Sequence, residues 1–364
     1  MRDLLAERLL AEIMEWGPED VVRERPILEA LATLKYDGYQ QFRPGTRFIE
    51  SLARWLAQFG TIEERKTAYG FVRQRLVFLS ESEMSHLISM AFPDLIRMEL
   101  LRIAAHAAQE PECRVRRLSA SLEYKTLLRR TLFVGLSDGA RTDVFRRCNG
   151  EISHDQICQT YRISKDQADN LCKELRRAVD DPEGLFRVLV LLDDFSGSGM
   201  SYLRLQGESY DGKIFRVLND LVGDGPLAGI VDRDDLRVFV VLYVATRRAR
   251  LHLSELLGRW REEKSGAFPI ILLPVQEIPD DACLKEDRDA AFLSLLRGYF
   301  DNSIVDAHWK KGRHDSPYLG FDECALPLVL PHNTPNNSLP ILWFEESSTR
   351  RGLFPRVSRH RGET

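Results

Sequence analysis

The chain has 364 residues, more than one hydrophobic core usually serves, and 44% of them are hydrophobic, so two folded domains are expected. Its 51 basic and 55 acidic residues leave a formal charge of −4, which excludes nucleic-acid binding driven by net charge but leaves local basic patches open. The six cysteines, at 113, 148, 158, 172, 283 and 324, show no Cys-x-x-Cys pair or other close zinc spacing and read as reduced thiols of a cytoplasmic protein. The first residues, MRDLLAERLLAEIMEW, intersperse acids and arginines among leucines, unlike a signal peptide. No apolar stretch approaches membrane-spanning length, so a membrane is not an expected partner.

Residues 1–110 read as an all-helical domain. Leu4, Leu5, Leu9, Ile13 and Trp16 recur at helical spacing, as do Phe48, Leu52, Trp55, Leu56 and Phe59. Thr61 with Glu64 and Ser80 with Glu83 have the spacing of capping boxes, and Pro93 suits a further first turn. His86 and His106 are lone histidines in apolar helices, as packed histidines usually are. With no chemical constellation, this domain is expected to scaffold or to contact a protein partner.

After Glu110 the texture changes. Thr131–Leu136 reads as a strand, Ser137-Asp138-Gly139-Ala140 as a turn, and Thr142–Arg147 as the start of a helix. Further apolar strands are predicted at 188–192, 238–244 and 270–275, with helices around Leu218 and from Leu251 to Trp260 between them. Such alternation predicts an α/β fold over 111–364, a mainly parallel sheet with helices on both faces. A helical insertion is expected at about 150–180. There Ser153 with Gln156 and Ser164 with Gln167 have capping-box spacing; the rival reading is a DNA-binding helix-turn-helix presenting Lys165, Gln167, Asn170, Lys173, Arg176 and Arg177.

The most informative segment is 188–201, VLVLLDDFSGSGMS. Its apolar run has the length and branching of a buried parallel strand, so Asp193 and Asp194 should emerge at the carboxyl end, where open α/β sheets bind ligands. The glycines and hydroxyls that follow can turn N–H groups toward one point, and a helix from about Met200 would aim its positive end there. An ordinary βα turn has the same residue preferences.

At these residues the chain resembles the type I phosphoribosyltransferases, whose 5-phosphoribosyl-1-pyrophosphate (PRPP) motif combines an apolar strand, two acids and a small-residue loop closed by a hydroxyl. The resemblance implies that Asp193 and Asp194 hold the ribose hydroxyls and, partly through water, Mg²⁺. It places the 5′-phosphate on Phe195, Ser196, Gly197, Ser198, Gly199, Met200 and Ser201. By the same resemblance Ser137, Asp138, Gly139, Ala140 and Arg141 form a pyrophosphate loop, the alternative being a tight strand-to-helix connection. Purine-salvage members carry a proton-exchanging acid where Gly197 stands, so purine salvage is disfavoured and no general base is named.

Near the C-terminus, His332-Asn333-Thr334-Pro335-Asn336-Asn337 lies between apolar runs. Asn333, Asn336 and Asn337 are candidates for binding the acceptor, or part of a turn between two strands. The Ser-Asp-Gly turn, PRPP loop and asparagine segment, in that order, are similar to phosphoribosyltransferase-like proteins of prokaryotic defence systems. This implies a magnesium-dependent enzyme that transfers or cleaves a phosphoribosyl group with release of pyrophosphate; the alternative is a non-catalytic PRPP or nucleotide sensor acting on a protein or nucleic-acid partner. Two basic stretches, Arg114–Arg130 and Arg350–Arg361, could hold a polyphosphate or RNA backbone or simply be solvated surface.

Overall fold

The computed structural model describes residues 2–265, 267–306, 309–345 and 350–356. The chain divides into two compact units, one made of 84–278 and the other of 1–83 together with 279–364. This differs from the expected boundary near residue 110 in two respects: the helices from 84 onward belong with the sheet, and the C-terminal segment belongs with the first helices.

The unit of 84–278 is built on a five-stranded sheet. Its strands are β2 (Thr131–Gly135), β3 (Ile157–Cys158), β4 (Val188–Ser196), β7 (Arg237–Thr246) and β8 (Ile270–Ile278), in the order β3-β2-β4-β7-β8. Every pairing is parallel, as the α/β reading expects. Val188–Leu192 are fully buried, which is why a run without polar alternation is stable here and would not be in a half-exposed sheet.

Leu189 and Leu191 pack on one face with Leu175 of α10 (Lys165–Val179), Leu218 of α11 (Lys213–Val222) and Leu253 of α12 (Arg247–Glu263). Phe133 meets Phe145 of α9 (Thr142–Cys148) at 5.3 Å between ring centroids, and Phe92 at 6.3 Å. Phe92 sits in the π-helical turn Ala91–Ile96. Pro93 lies inside that turn rather than opening a helix; a residue without an N–H is tolerated where the helical ladder is already widened.

The segment predicted as a helical insertion supplies β3 as well as α10, and a single 3-10 turn, His154–Gln156, stands where a helix-turn-helix would need its first helix. The capping boxes form as their spacing implies. Ser164 Oγ accepts from Gln167 N at 3.2 Å, Thr61 Oγ1 accepts from Glu64 N at 3.2 Å, and Ser80 N donates to Glu83 Oε2 at 2.7 Å.

The other unit gathers α1 (Arg2–Ile13), α2 (Pro18–Leu34), α3 (Phe48–Leu56), α4 (Ile62–Gln74) and β1 (Val77–Phe78) with α13 (Glu286–Gly298), β9 (Leu328–Val329) and α14 (Pro340–Trp343). Phe71 stacks on Phe292 at 4.0 Å, and Trp55 Nε1 donates to Ile341 O at 2.9 Å. β1 pairs in parallel with β9. The C-terminal apolar residues, Ile341, Leu342, Leu353 and Phe354 among them, are therefore interior to the helical unit. Their burial explains the division of the chain better than linear order does.

Gln156, 2% exposed, ties the sheet edge together: its Nε2 donates to Leu128 O at 2.6 Å and Thr131 O at 2.9 Å, and its Oε1 accepts from Ser153 N at 3.1 Å. Gln156→Ala leaves these groups without their partner and should cost about 2–3 kcal/mol in urea unfolding. An unchanged midpoint would show that the sheet edge does not depend on them.

Candidate functional site

Asp193 and Asp194 emerge near the carboxyl end of β4, the central strand, but they are not equivalent. Asp193 is fully buried and Asp194 half-buried. Asp193 Oδ2 accepts from Lys213 Nζ at 2.8 Å and from Tyr202 OH at 2.8 Å; Oδ1 accepts from Ser137 Oγ and from Asp194 N at 3.1 Å. A carboxylate out of water is stable only with such partners. Lys213 also lies over the Tyr202 ring, 5.0 Å from its centroid.

Burial, and the Asp194 charge after it, push the Asp193 carboxyl above the usual aspartate range, while Lys213 and Ser137 pull it down. Burial and the Asp193 charge raise the Tyr202 phenol well above its ordinary value, so it remains a donor. Phe195 O lies at the same 2.8 Å from that phenol, so the two acceptors share its single proton. Neither Lys213 nor Tyr202 stands out in the sequence: each lies in the stretch after the motif, with no spacing that marks it as a partner of the acid.

The turn Ser137–Arg141 is brought against the acid pair. Ser137 donates to Asp193, and Tyr243 OH of β7 donates to Ala140 O at 2.6 Å. Gly139 is required by close approach, since a Cβ there would fall inside the Asp194 carboxylate. Two of the three expected constellations thus converge, through contacts that the linear spacing does not reveal.

The loop is shorter than expected. β4 runs through Phe195 and Ser196, which pair with Val244 and Ala245, so only Gly197–Ser201 turn freely. Ser196 Oγ accepts from Gly199 N at 3.2 Å, Ser198 Oγ accepts from Met200 N at 3.4 Å, and Thr246 Oγ1 donates to Gly197 O at 2.5 Å. Gly199 takes a left-handed φ of +82°, and a Cβ there would lie 2.6 Å from His252 Cδ2. Ser201 is exposed.

No helix starts at Met200. Gly199 O accepts from Tyr202 N at 2.9 Å and Leu203 N at 3.0 Å, closing a turn that leads into a hairpin, β5 (Arg204–Gln206) and β6 (Ser209–Asp211), before α11 begins. The first amides of α11 are met by Ser201 O and Tyr202 O, so its positive end is satisfied by the chain itself.

Asn333, Asn336 and Asn337 fall in the unit of 1–83 and 279–364. Asn337 Nδ2 donates to Phe321 O at 3.1 Å, Arg356 donates to Asn336 Oδ1, and Arg356 Nε donates to Asn333 Oδ1 at 3.3 Å. These amides stitch the C-terminal segment together. Of the basic stretches, Arg114 and Arg117 pair with Glu110, Arg129 with Asp155 and Arg130 with Asp181. Arg350 lies over Tyr299, 5.1 Å from its centroid, and Arg359 and Arg361 lie outside the described residues.

A five-stranded parallel sheet with helices on both faces, an acid pair near the end of its central strand and a small-residue loop beyond is the phosphoribosyltransferase-like arrangement. The chain belongs to the PRTase-CE family, a phosphoribosyltransferase-like family whose model matches residues 52–356. No curated protein and no solved structure matches it. Among the described residues no helix is long and apolar enough to cross a membrane.

Lys213→Met leaves the buried Asp193 charge without its cation, which should cost about 3 kcal/mol at neutral pH. A raised carboxyl pKa means stability is lost as pH rises through it, so the deficit against the parent should narrow on acidification as Asp193 takes up a proton. Denaturant melts of both proteins across pH check this; a deficit that widens on acidification would contradict the assignment. Gly199→Val should also lower the melting temperature with no ligand present, because it forces a β-branched residue into left-handed backbone against His252.

Proposed function

We propose that the chain is a cytoplasmic, magnesium-dependent enzyme that binds PRPP beside Asp194 and transfers or cleaves its phosphoribosyl group with release of pyrophosphate, as a component of a prokaryotic defence system. One observation carries the reading: the half-buried Asp194 carboxylate and the Ser137–Arg141 turn meet near the carboxyl end of the central strand, in a chain of a phosphoribosyltransferase-like family. Asp194 takes the ribose hydroxyls, Asp193 positions Lys213 and the turn, the 197–201 loop receives the 5′-phosphate, and the 137–141 turn receives pyrophosphate.

Loss of pyrophosphate leaves positive charge on the ribose ring and several negative charges on the leaving group. The chain's contribution is therefore orientation and electrostatic stabilisation. Lys213, about a quarter exposed, adds positive charge beside the acids. Among the described residues no three His, Cys, Asp or Glu side chains converge as a metal cage. Mg²⁺ fits as an ion carried largely by phosphate oxygens and water, with Asp194 as its protein ligand, and it would neutralise the leaving group.

The first helices fit recruitment of a protein partner. Leu4, Leu5 and Leu9 on α1 and Val22 and Leu34 on α2 are exposed, and all precede the family-matched residues. A nucleic acid remains an acceptor candidate alongside a base or nucleotide.

Two observations favour a second reading, a non-catalytic PRPP or nucleotide sensor: Asp193 is already satisfied within the chain, and Gly197 offers no proton. Incubation of the pure protein with PRPP, Mg²⁺ and a panel of bases, nucleosides, nucleotides and RNA separates the two. Acceptor-dependent pyrophosphate release supports the enzyme, and binding without turnover supports the sensor. Asp194→Asn should weaken PRPP binding by about 1.5–3 kcal/mol with little change in melting temperature, and PRPP titrations identical to the parent's would remove both readings.

A further inference from the structure

A cleft of about 530 Å³ opens at the free edge of the sheet, in the unit of 84–278 and apart from the acid pair. Its floor is Ile157 and Cys158 of β3, with Ile163 and Leu171 beside them. Burial pushes the Cys158 thiol up to about 11, as expected of a largely dry floor. One wall is the exposed face of α10, from which Gln167, Asn170 and Glu174 line the opening; the other is α9, with Thr142 and Arg146. The volume is that of a small-molecule site.

The polar lining selects the ligand class. The side chains of Arg146, His154, Gln159, Asn170 and Glu174 carry no hydrogen bond or ion pair to the described residues, so their capacity is directed outward. The other acids of the cleft are already matched, Asp143 by Arg147 at 2.6 Å and Asp155 by Arg129. Charge in the lining is therefore mixed, unlike the concentrated positive charge that a polyphosphate needs. β3 contributes only two residues, too few backbone groups to register an added peptide strand.

What remains is an apolar slot rimmed by the amides of Gln159 and Asn170, each presenting a donor and an acceptor, and by one guanidinium. Amides pair with the N6/N7 edge of adenine, and a guanidinium pairs with the O6/N7 edge of guanine. We propose that this cleft binds a nucleobase or its nucleoside, at a site distinct from Asp193 and Asp194. Thr142, on its wall, follows Arg141 directly, so occupancy would bear on the turn that faces the acid pair.

Calorimetric titration of the full chain with adenosine, guanosine, cytidine and uridine, each beside its 5′-triphosphate, tests the inference. At least one nucleoside should bind saturably, and its triphosphate should bind no more tightly. Asn170→Phe, at an exposed position of α10, should weaken that nucleoside at least about tenfold by filling the slot, and Gln159→Ala should weaken it about fivefold or more through loss of a hydrogen bond. Both variants should melt near the parent, because neither side chain is bonded to the described residues.

Absence of saturable nucleoside binding overturns the proposal, as does tighter binding of the triphosphate or an affinity that both variants leave unchanged. Asp194→Asn should not alter nucleoside affinity; if it abolishes binding while Asn170→Phe does not, the nucleoside sits at the acid pair and the cleft is not its site. Failure of PRPP to bind would remove the proposed function and leave this inference standing.

Discussion

The buried Asp193 carboxylate is the constraint around which the candidate site is arranged. A charge taken out of water costs several kcal/mol unless donors surround it. The side-chain donors here come from three separate places: Ser137 after β2, Tyr202 in the turn after β4, and Lys213 at the start of α11. Satisfying one carboxylate therefore draws three connections to the end of one strand. The same requirement places Gly139 against Asp194, since the turn can close on the acid pair only where no side chain intervenes.

The division of labour between the two acids follows from that arrangement. Adjacent residues on a strand point to opposite faces, so one of a pair can turn into the fold while its neighbour stays half-buried. Asp193 acts through what it holds, above all Lys213 and Tyr202, and in the proposed function Asp194 is the carboxylate that meets the ligand. The hairpin β5–β6 then serves as a spacer, carrying the chain from the Gly199 turn to the position at which Lys213 reaches Asp193.

The C-terminal segment shows how far linear order can depart from packing. Its apolar residues are long-range partners of α3 and α4: Ser51 Oγ donates to Leu353 O at 2.7 Å, and Phe71 stacks on Phe292. Its polar atoms serve the same end, with Asn337 and the oxygens of Asn333 and Asn336 committed to bonds within the segment. An asparagine-rich turn between apolar runs reads equally well as recognition or as stitching, because the same amide geometry performs both.

The sequence by itself determined whatever depends on neighbours a few residues apart. Val188–Leu192 reads as a strand buried on both faces, because a short β-branched run without polar alternation has no exposed side to offer; the capping boxes at Thr61, Ser80 and Ser164 open helices, and that at Ser153 a single 3-10 turn, because side chain and amide meet within one turn. Tertiary structure alone decided which acid is buried, that Lys213 rather than solvent balances it, that a hairpin replaces the helix expected at Met200, and that β3 closes the sheet beside a cleft. Those outcomes rest on contacts between residues that local periodicity does not relate, 20 positions apart for Asp193 and Lys213 and 56 for Ser137 and Asp193, and only the packed chain brings such groups within hydrogen-bonding distance.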